Sequence, residues 1–249
     1  MPRPPNPAAS SDWALQFRYA GRLSVSLQGD FRLFSHRINK KQEIGPPVPA
    51  PGFTGPKVPR HSGGWAALRK RLQAELGLNV IDAGYASSAN LNYLTGLGHS
   101  VFLADPVHDA WTENWQSGTD EDGHPVWNTQ GFLEQSLNFC GRSFDVVLLW
   151  TVLDYLPEPL VAPVVKHLYS AMNPGGQVLA FFNTRTHGEE TLHCRFHVTA
   201  GDDVEMQLAK QFPIQRAFTN RSIERLFAAW SGYRQFLARD SVSEVIIMR

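Results

Sequence analysis

Asp82, Gly84 and Asp105 stand in one short run, NVIDAGYASSANLNYLTGLGHSVFLADP, at a spacing that suits binding of a nucleoside. A glycine at a strand end lets backbone approach a ligand with no Cβ in the way, and a helix start offers free N–H groups to an anionic part. Asp105 follows the turn by about 20 residues, the separation at which a carboxylate meets a ribose hydroxyl pair. The elements that must position these groups are legible around them. Val80, Ile81 and Ala83 make a short buried strand that stops at Gly84. Ser87, Ser88 and Asn90 can cap a helix, which Leu91, Leu94 and Leu97 continue at helical spacing until Gly98. Residues 100–104 are a second strand. Strand, turn, helix and parallel strand form a right-handed βαβ unit whose turn lies at the carboxyl edge of the sheet, where such sheets bind ligands.

The segments Asp82 to Leu91, Phe144 to Trp150 and Leu168 to Leu179 together resemble the class I S-adenosylmethionine-dependent methyltransferases, over Trp65 to Arg249. The resemblance implies an α/β, Rossmann-like sheet of seven mostly parallel strands, with an antiparallel last strand and helices on both faces. It implies S-adenosylmethionine as cofactor, held by Asp82, Gly84, Tyr85, Ala86, Asn90, Asp105, Asn128 and Trp150. Ala86 and Ser88 stand where the family has glycine, so a position there that needs positive φ would be strained. Residues 124–128 are expected as the third strand, with Asn128, or else Asp122, against the adenine. The end of the strand 144–150 faces donor and acceptor in that family. Asp154, Tyr155 and His187 are therefore the candidate catalytic groups. Asp154 either accepts a proton or caps the next helix, and Trp150 either stacks on a ring or packs in the core.

Composition bounds the rest. The 249 residues can bury a sizeable core, and 23 basic against 23 acidic residues give no net charge to draw nucleic acid or an anionic membrane. Cys140 and Cys194 are too few and too far apart for a disulfide framework, and no apolar run reaches spanning length. A cytoplasmic protein with a small-molecule substrate is expected. His187, His193 and His197 lie near Glu189 and Glu190, but the spacing matches no ligand motif and no metal is expected.

Three divisions follow: a tail and hairpin extension over 1–43, a Pro/Gly-rich spacer over 44–64, and a methyltransferase-like domain over 65–249. Residues 13–33 alternate apolar and polar around Gln28-Gly29-Asp30, a hairpin that either covers apolar surface or serves a protein partner or self-association. Trp65, Leu68, Leu72 and Leu76 predict an amphipathic helix, and Pro159 to Met172 another, stopped by a turn at Asn173-Pro174-Gly175-Gly176. Residues 194–199 and 204–208 flank a turn as a hairpin, and Asn220 to Trp230 reads as a helix. Strands over 233–239 and 243–248 close the chain. The resulting expectation is methyl transfer to a small-molecule nucleophile by in-line displacement. The alternative is an inactive scaffold acting through protein contacts, and a nicotinamide dehydrogenase is disfavoured by the closing strands.

Overall fold

Val146, Val147, Leu148 and Leu149 are all buried, and so are Val178, Leu179, Ala180, Phe181 and Phe182. Consecutive residues can all be hidden in a strand only if both sheet faces are covered. The computed structural model, which describes residues 55–186, 193–209, 212–236 and 240–249, shows how this is done. In chain order, β1 (Val58–His61) and α1 (Gly63–Ala74) precede β2 (Asn79–Ala83), α2 (Ser88–Gly96), β3 (Ser100–Ala104) and α3 (Pro106–Thr112). Then come β4 (Gln116–Thr119), β5 (Pro125–Trp127), α4 (Thr129–Ser136), β6 (Phe144–Trp150), α5 (Val152–Tyr155), α6 (Glu158–Ala171) and β7 (Met172–Asn183). Next are β8 (Cys194–Val198), β9 (Asp203–Leu208), α7 (Asn220–Leu226), β10 (Gly232–Phe236) and β11 (Val242–Met248).

The central sheet has the order β10-β11-β7-β6-β2-β3. β3, β2, β6 and β7 are parallel neighbours, while β11 runs antiparallel between β7 and β10. Alternate side chains feed two cores. Val80, Val146, Leu148, Leu179 and Ile246 meet Trp65, Leu68 and Leu72 of α1 and Leu94 of α2 on one face. Ile81, Val147, Leu149, Val178 and Ile247 meet Phe132 of α4, Leu160, Val164 and Leu168 of α6, and Ile223 of α7 on the other. Helix α1 starts at Ser62, whose hydroxyl accepts the Trp65 N–H at 3.0 Å, and its buried residues recur three and four apart.

Among the described residues the central sheet has six strands, against the expected seven. Residues 125–127 pair instead with β4 in a separate two-stranded ribbon. Pro125 has no N–H to give a ladder, and Pro125 and Val126 are exposed, so the segment has neither the bonding nor the apolar face of an edge strand in a covered sheet. The predicted turn at 173–176 lies inside β7 as an irregularity, where the pairing steps from Phe144↔Met172 to Val146↔Gln177. Within the segment read as a spacer, Val58–His61 is a strand paired with β9. It holds because Arg60 is buried, with its guanidinium on the Glu244 carboxylate and on Asp240, while Glu244 Oε2 accepts from Ser62 Oγ at 2.8 Å and Gly64 N at 2.7 Å. The expected hairpin over 13–33 and the rest of the spacer before residue 55 lie outside the described residues. Among the described residues, no helix is long and apolar enough to cross a membrane.

Candidate active site

The turn after β2 is built from behind by a buried polar network. Asp82 sits at the end of β2 with 2% of its surface exposed; Oδ1 accepts from Trp150 Nε1 at 2.7 Å and Oδ2 from Asn90 Nδ2 at 2.9 Å. Burial pushes its carboxyl up to about 6, against the pull of those two donors. Asn90 spends its amide entirely within the protein, donating also to Phe196 O at 3.1 Å and accepting from Val198 N at 2.7 Å. Ser87 Oγ caps α2 through Asn90 N and lies 2.7 Å from His197 Nδ1, whose other nitrogen meets Gln207 Oε1 at 3.2 Å. The hairpin β8–β9 is thereby fastened to the start of α2.

Trp150 belongs to the same frame. Its backbone takes φ +45°, and its indole lies on Phe196 with centroids 5.0 Å apart and planes within 5°. With 4% of its surface exposed, it is packed between the turn and β8.

On the ligand side, Gly84 has φ +154° and donates its N–H to Ala104 O at 2.7 Å, which sets the turn beside the end of β3. A Cβ there would lie 3.4 Å from Trp150 Cδ1. Neither Ala86 nor Ser88 has positive φ, so the strain expected of non-glycine residues at these two positions does not arise. Tyr85 and Ala86 are half-buried. Asp105 follows β3 and caps α3, with Oδ1 accepting His108 N at 3.0 Å. Burial raises its carboxyl to about 6, the His108 N–H opposing. Gly84 and Asp105 therefore lie at adjacent strand ends, as their spacing required. Asn128 is elsewhere in kind: it is exposed, and its Oδ1 caps α4 through Gly131 N at 2.9 Å. Asp122 is exposed between β4 and β5.

Past the end of β6, Asp154 is fully buried in α5. The next helix, α6, has Pro157 at its N-cap position and α5 has Thr151, so the capping alternative does not describe the Asp154 side chain. Its Oδ2 accepts from Asn183 N at 2.7 Å and from Asn183 Nδ2 at 2.8 Å, while Oδ1 has no hydrogen-bond partner among the described residues. Burial holds this carboxyl well above the usual range, with the Asn183 donors and the Arg216 charge pulling the other way. Tyr155 is buried beside it, and burial followed by the Asp154 charge pushes its hydroxyl up.

One group of this edge was not singled out as catalytic by its sequence context. The His193 ring lies 4.9 Å from Tyr85, 4.6 Å from Tyr155 and 5.7 Å from Phe212, centroid to centroid. It joins the turn after β2 to the end of β6, but no local motif signals it. Asn183, which holds Asp154, is the last residue of β7. His187 lies outside the described residues. Among the described residues, the metal-type grouping of side chains is exposed Asp120, Asp122 and His124 between β4 and β5, and it includes neither His193 nor His197.

A mixed sheet with helices on both faces, and a glycine turn and an acidic residue at neighbouring strand ends, define a doubly wound α/β protein. The family described as "Methyltransferase domain" matches residues 60–230, and the chain belongs to it. A search of curated proteins finds no match. Similar solved structures include an S-adenosylmethionine-dependent methyltransferase from Mesorhizobium loti, 13% identical, covering 74% of this chain and 97% of that one with a TM-score of 0.39. Another, from Methanosarcina mazei, is 16% identical over 72% of this chain and 94% of its own, with a TM-score of 0.42. Magnesium protoporphyrin IX methyltransferase from Synechocystis, with S-adenosylmethionine bound, is 16% identical over 74% of each chain, with a TM-score of 0.39.

Proposed function

We propose that this chain is an S-adenosylmethionine-dependent methyltransferase that acts on a small-molecule nucleophile by in-line displacement. The observation that carries the reading is the pairing of Gly84 with the end of β3, which puts a Cβ-free turn and the Asp105 carboxyl side by side. The donor set suits the cofactor. Asp105 would take the ribose hydroxyls, Gly84, Tyr85 and Ala86 would line its approach, and Asp82, Asn90 and Trp150 would hold that turn in shape. Asn128, at the start of α4, is assigned to the adenine. When bound, the cofactor supplies a methyl group on a cationic sulfur, already a good leaving group.

The protein's own task is then alignment and exclusion of water. Asp154 stands at the acceptor side with Oδ2 fixed by Asn183 and Oδ1 buried with no hydrogen-bond partner among the described residues. Burial raises this carboxyl, and a cation bound beside it favours the carboxylate, which can take a proton from the acceptor. Tyr155 shapes the same wall, and His187 is a second candidate base. The domain in this reading runs from Val58 to Arg249. It works in the cytoplasm, in keeping with a sequence that carries only two cysteines. Titration calorimetry with S-adenosylmethionine and S-adenosylhomocysteine tests the reading. Saturable heat at micromolar ligand is expected, and none at millimolar ligand would leave the scaffold alternative in its place.

A further inference from the structure

Among the described residues, Asp154 Oδ1 and His193 Nδ1 are buried side-chain atoms at the carboxyl edge of the sheet with no hydrogen-bond partner. Buried polar atoms are nearly always satisfied, so two such orphans at one edge of the sheet need an explanation. His193 is 2% exposed and is set among Tyr85, Tyr155 and Phe212. The ring system extends outward from Phe212 to Trp111, nearly parallel at 19° with centroids 6.4 Å apart, and to His108. Trp111 is itself held in place by its Nε1 donating to Tyr155 O at 2.9 Å, and it is 38% exposed.

We infer that His193 is an acceptor-binding residue, and that the acceptor is a flat, uncharged aromatic ring carrying a hydroxyl or ring N–H, which His193 Nδ1 hydrogen-bonds while Tyr155, Phe212 and Trp111 hold the ring. The inference rests on the methyl-transfer reading and names the substrate class of that same site. Several physical facts select this chemistry. An aromatic wall gains most from a ring, through area and through edge or offset contacts. Burial lowers the His193 imidazole to about 3, so the group is neutral throughout the working range and offers a hydrogen bond but no charge to an anionic acceptor. A neutral ring with one polar edge satisfies the orphan nitrogen without bringing an ion into a dry site. A short aliphatic amine or carboxylate would leave the rings unfilled.

The test uses the full chain saturated with S-adenosylhomocysteine, to which 2-naphthol, 8-hydroxyquinoline, ethanolamine or butyrate is added in a calorimeter. Methyl transfer to the same four probes from S-adenosylmethionine is read as product. The ring probes are expected to bind and be methylated, with the aliphatic probes at least tenfold weaker. His193→Leu should raise the acceptor KM at least tenfold with S-adenosylhomocysteine affinity unchanged, and His193→Gln should recover part of the loss. Thermal melting confirms that both variants are folded, and Phe212→Ala gives an independent arm that should weaken the ring probes alone. Binding of S-adenosylhomocysteine with no binding of either ring probe, preference for the aliphatic probes, or an acceptor KM unmoved by His193→Leu and Phe212→Ala would each overturn the inference. Failure to bind S-adenosylhomocysteine at all would instead overturn the methyl-transfer reading beneath it.

Discussion

Asn90 Nδ2 donates at 2.9 Å to Asp82 Oδ2, and the same amide holds Phe196 O and Val198 N of β8. One side chain therefore couples the end of the first central strand to a hairpin from the far half of the chain. Asn90→Ala leaves a buried carboxylate oxygen, a carbonyl and an N–H without this partner, each costing about 1–3 kcal/mol where nothing replaces it. A loss of roughly 3 kcal/mol in urea unfolding is expected after partial relaxation. A loss under about 1 kcal/mol would mean that water or a neighbour takes over the bonds.

Asp105 combines two roles that substitution can separate. Asp105→Asn keeps the oxygen that caps α3 but removes the charge, whereas Asp105→Ala removes both. Hydrogen bonds to charged groups are worth about 1.5–3 kcal/mol, so S-adenosylhomocysteine should bind roughly ten- to a hundredfold more weakly to Asp105→Ala. Loss of the cap should also cost this variant about 1 kcal/mol of stability, spared in Asp105→Asn. Equal affinity for all three proteins in calorimetry would show that the carboxyl does not touch the ligand.

The His193 imidazole gives stability a defined pH dependence. The unfolded chain takes up a proton near its ordinary value of 6.5, which the folded protein refuses until about 3. Its contribution is fully present above pH 6.5 and is lost as pH falls through that window. At pH 4.5 the loss reaches about 2–3 kcal/mol from this group. Asp82, raised to about 6, works in the opposite sense, its contribution falling as pH rises from about 4 to 6. The comparison that isolates His193 is therefore with His193→Gln, whose melting temperature should fall less between pH 7 and 4.5. Parallel curves for the two proteins would rule out a buried neutral imidazole.

Arg60 and Glu244 form a buried pair that ties β1 and the start of α1 to β11. Removing one partner strands the other's charge, a penalty of about 3–5 kcal/mol for such pairs. Arg60→Ala should be destabilising by about that much in chemical denaturation. The double variant Arg60→Met with Glu244→Leu should recover a large part, because an apolar pair carries no desolvation cost. If the double variant is no better than Arg60→Ala, the Glu244 bonds to Ser62 and Gly64 are the more important half of the network.

What was legible in the sequence was local. The βαβ unit over residues 79–104 shows itself because a strand, a cap and a helical period follow one another without a long loop, and β6 because seven apolar or shielded residues run together. The placement of Gly84 and Asp105 at adjacent strand ends follows from that unit alone. What was not legible depends on distant partners. Asn90 and Trp150 read as ligand contacts because their positions flank the turn, and only the fold reveals Phe196 and the β8 backbone packed against them. His193 had no local pattern to mark it, since its neighbours Tyr85 and Tyr155 come from two other strand ends. Residues 125–127 misled because so short an extended run, opened by Pro125, cannot reveal which sheet it will join.

The bonds that shape the turn after β2 span 106 to 110 residues of sequence: Ser87 to His197, Asn90 to Phe196 and Asn90 to Val198. Such distant closures cost chain entropy that is recovered only once most of the molecule is in place, so they form late in folding. A chain emerging during synthesis assembles β2, α2 and β3 long before the hairpin that braces them exists. Competence to recognise a nucleoside is thus acquired at the end of maturation, and partly folded chains would not compete for it.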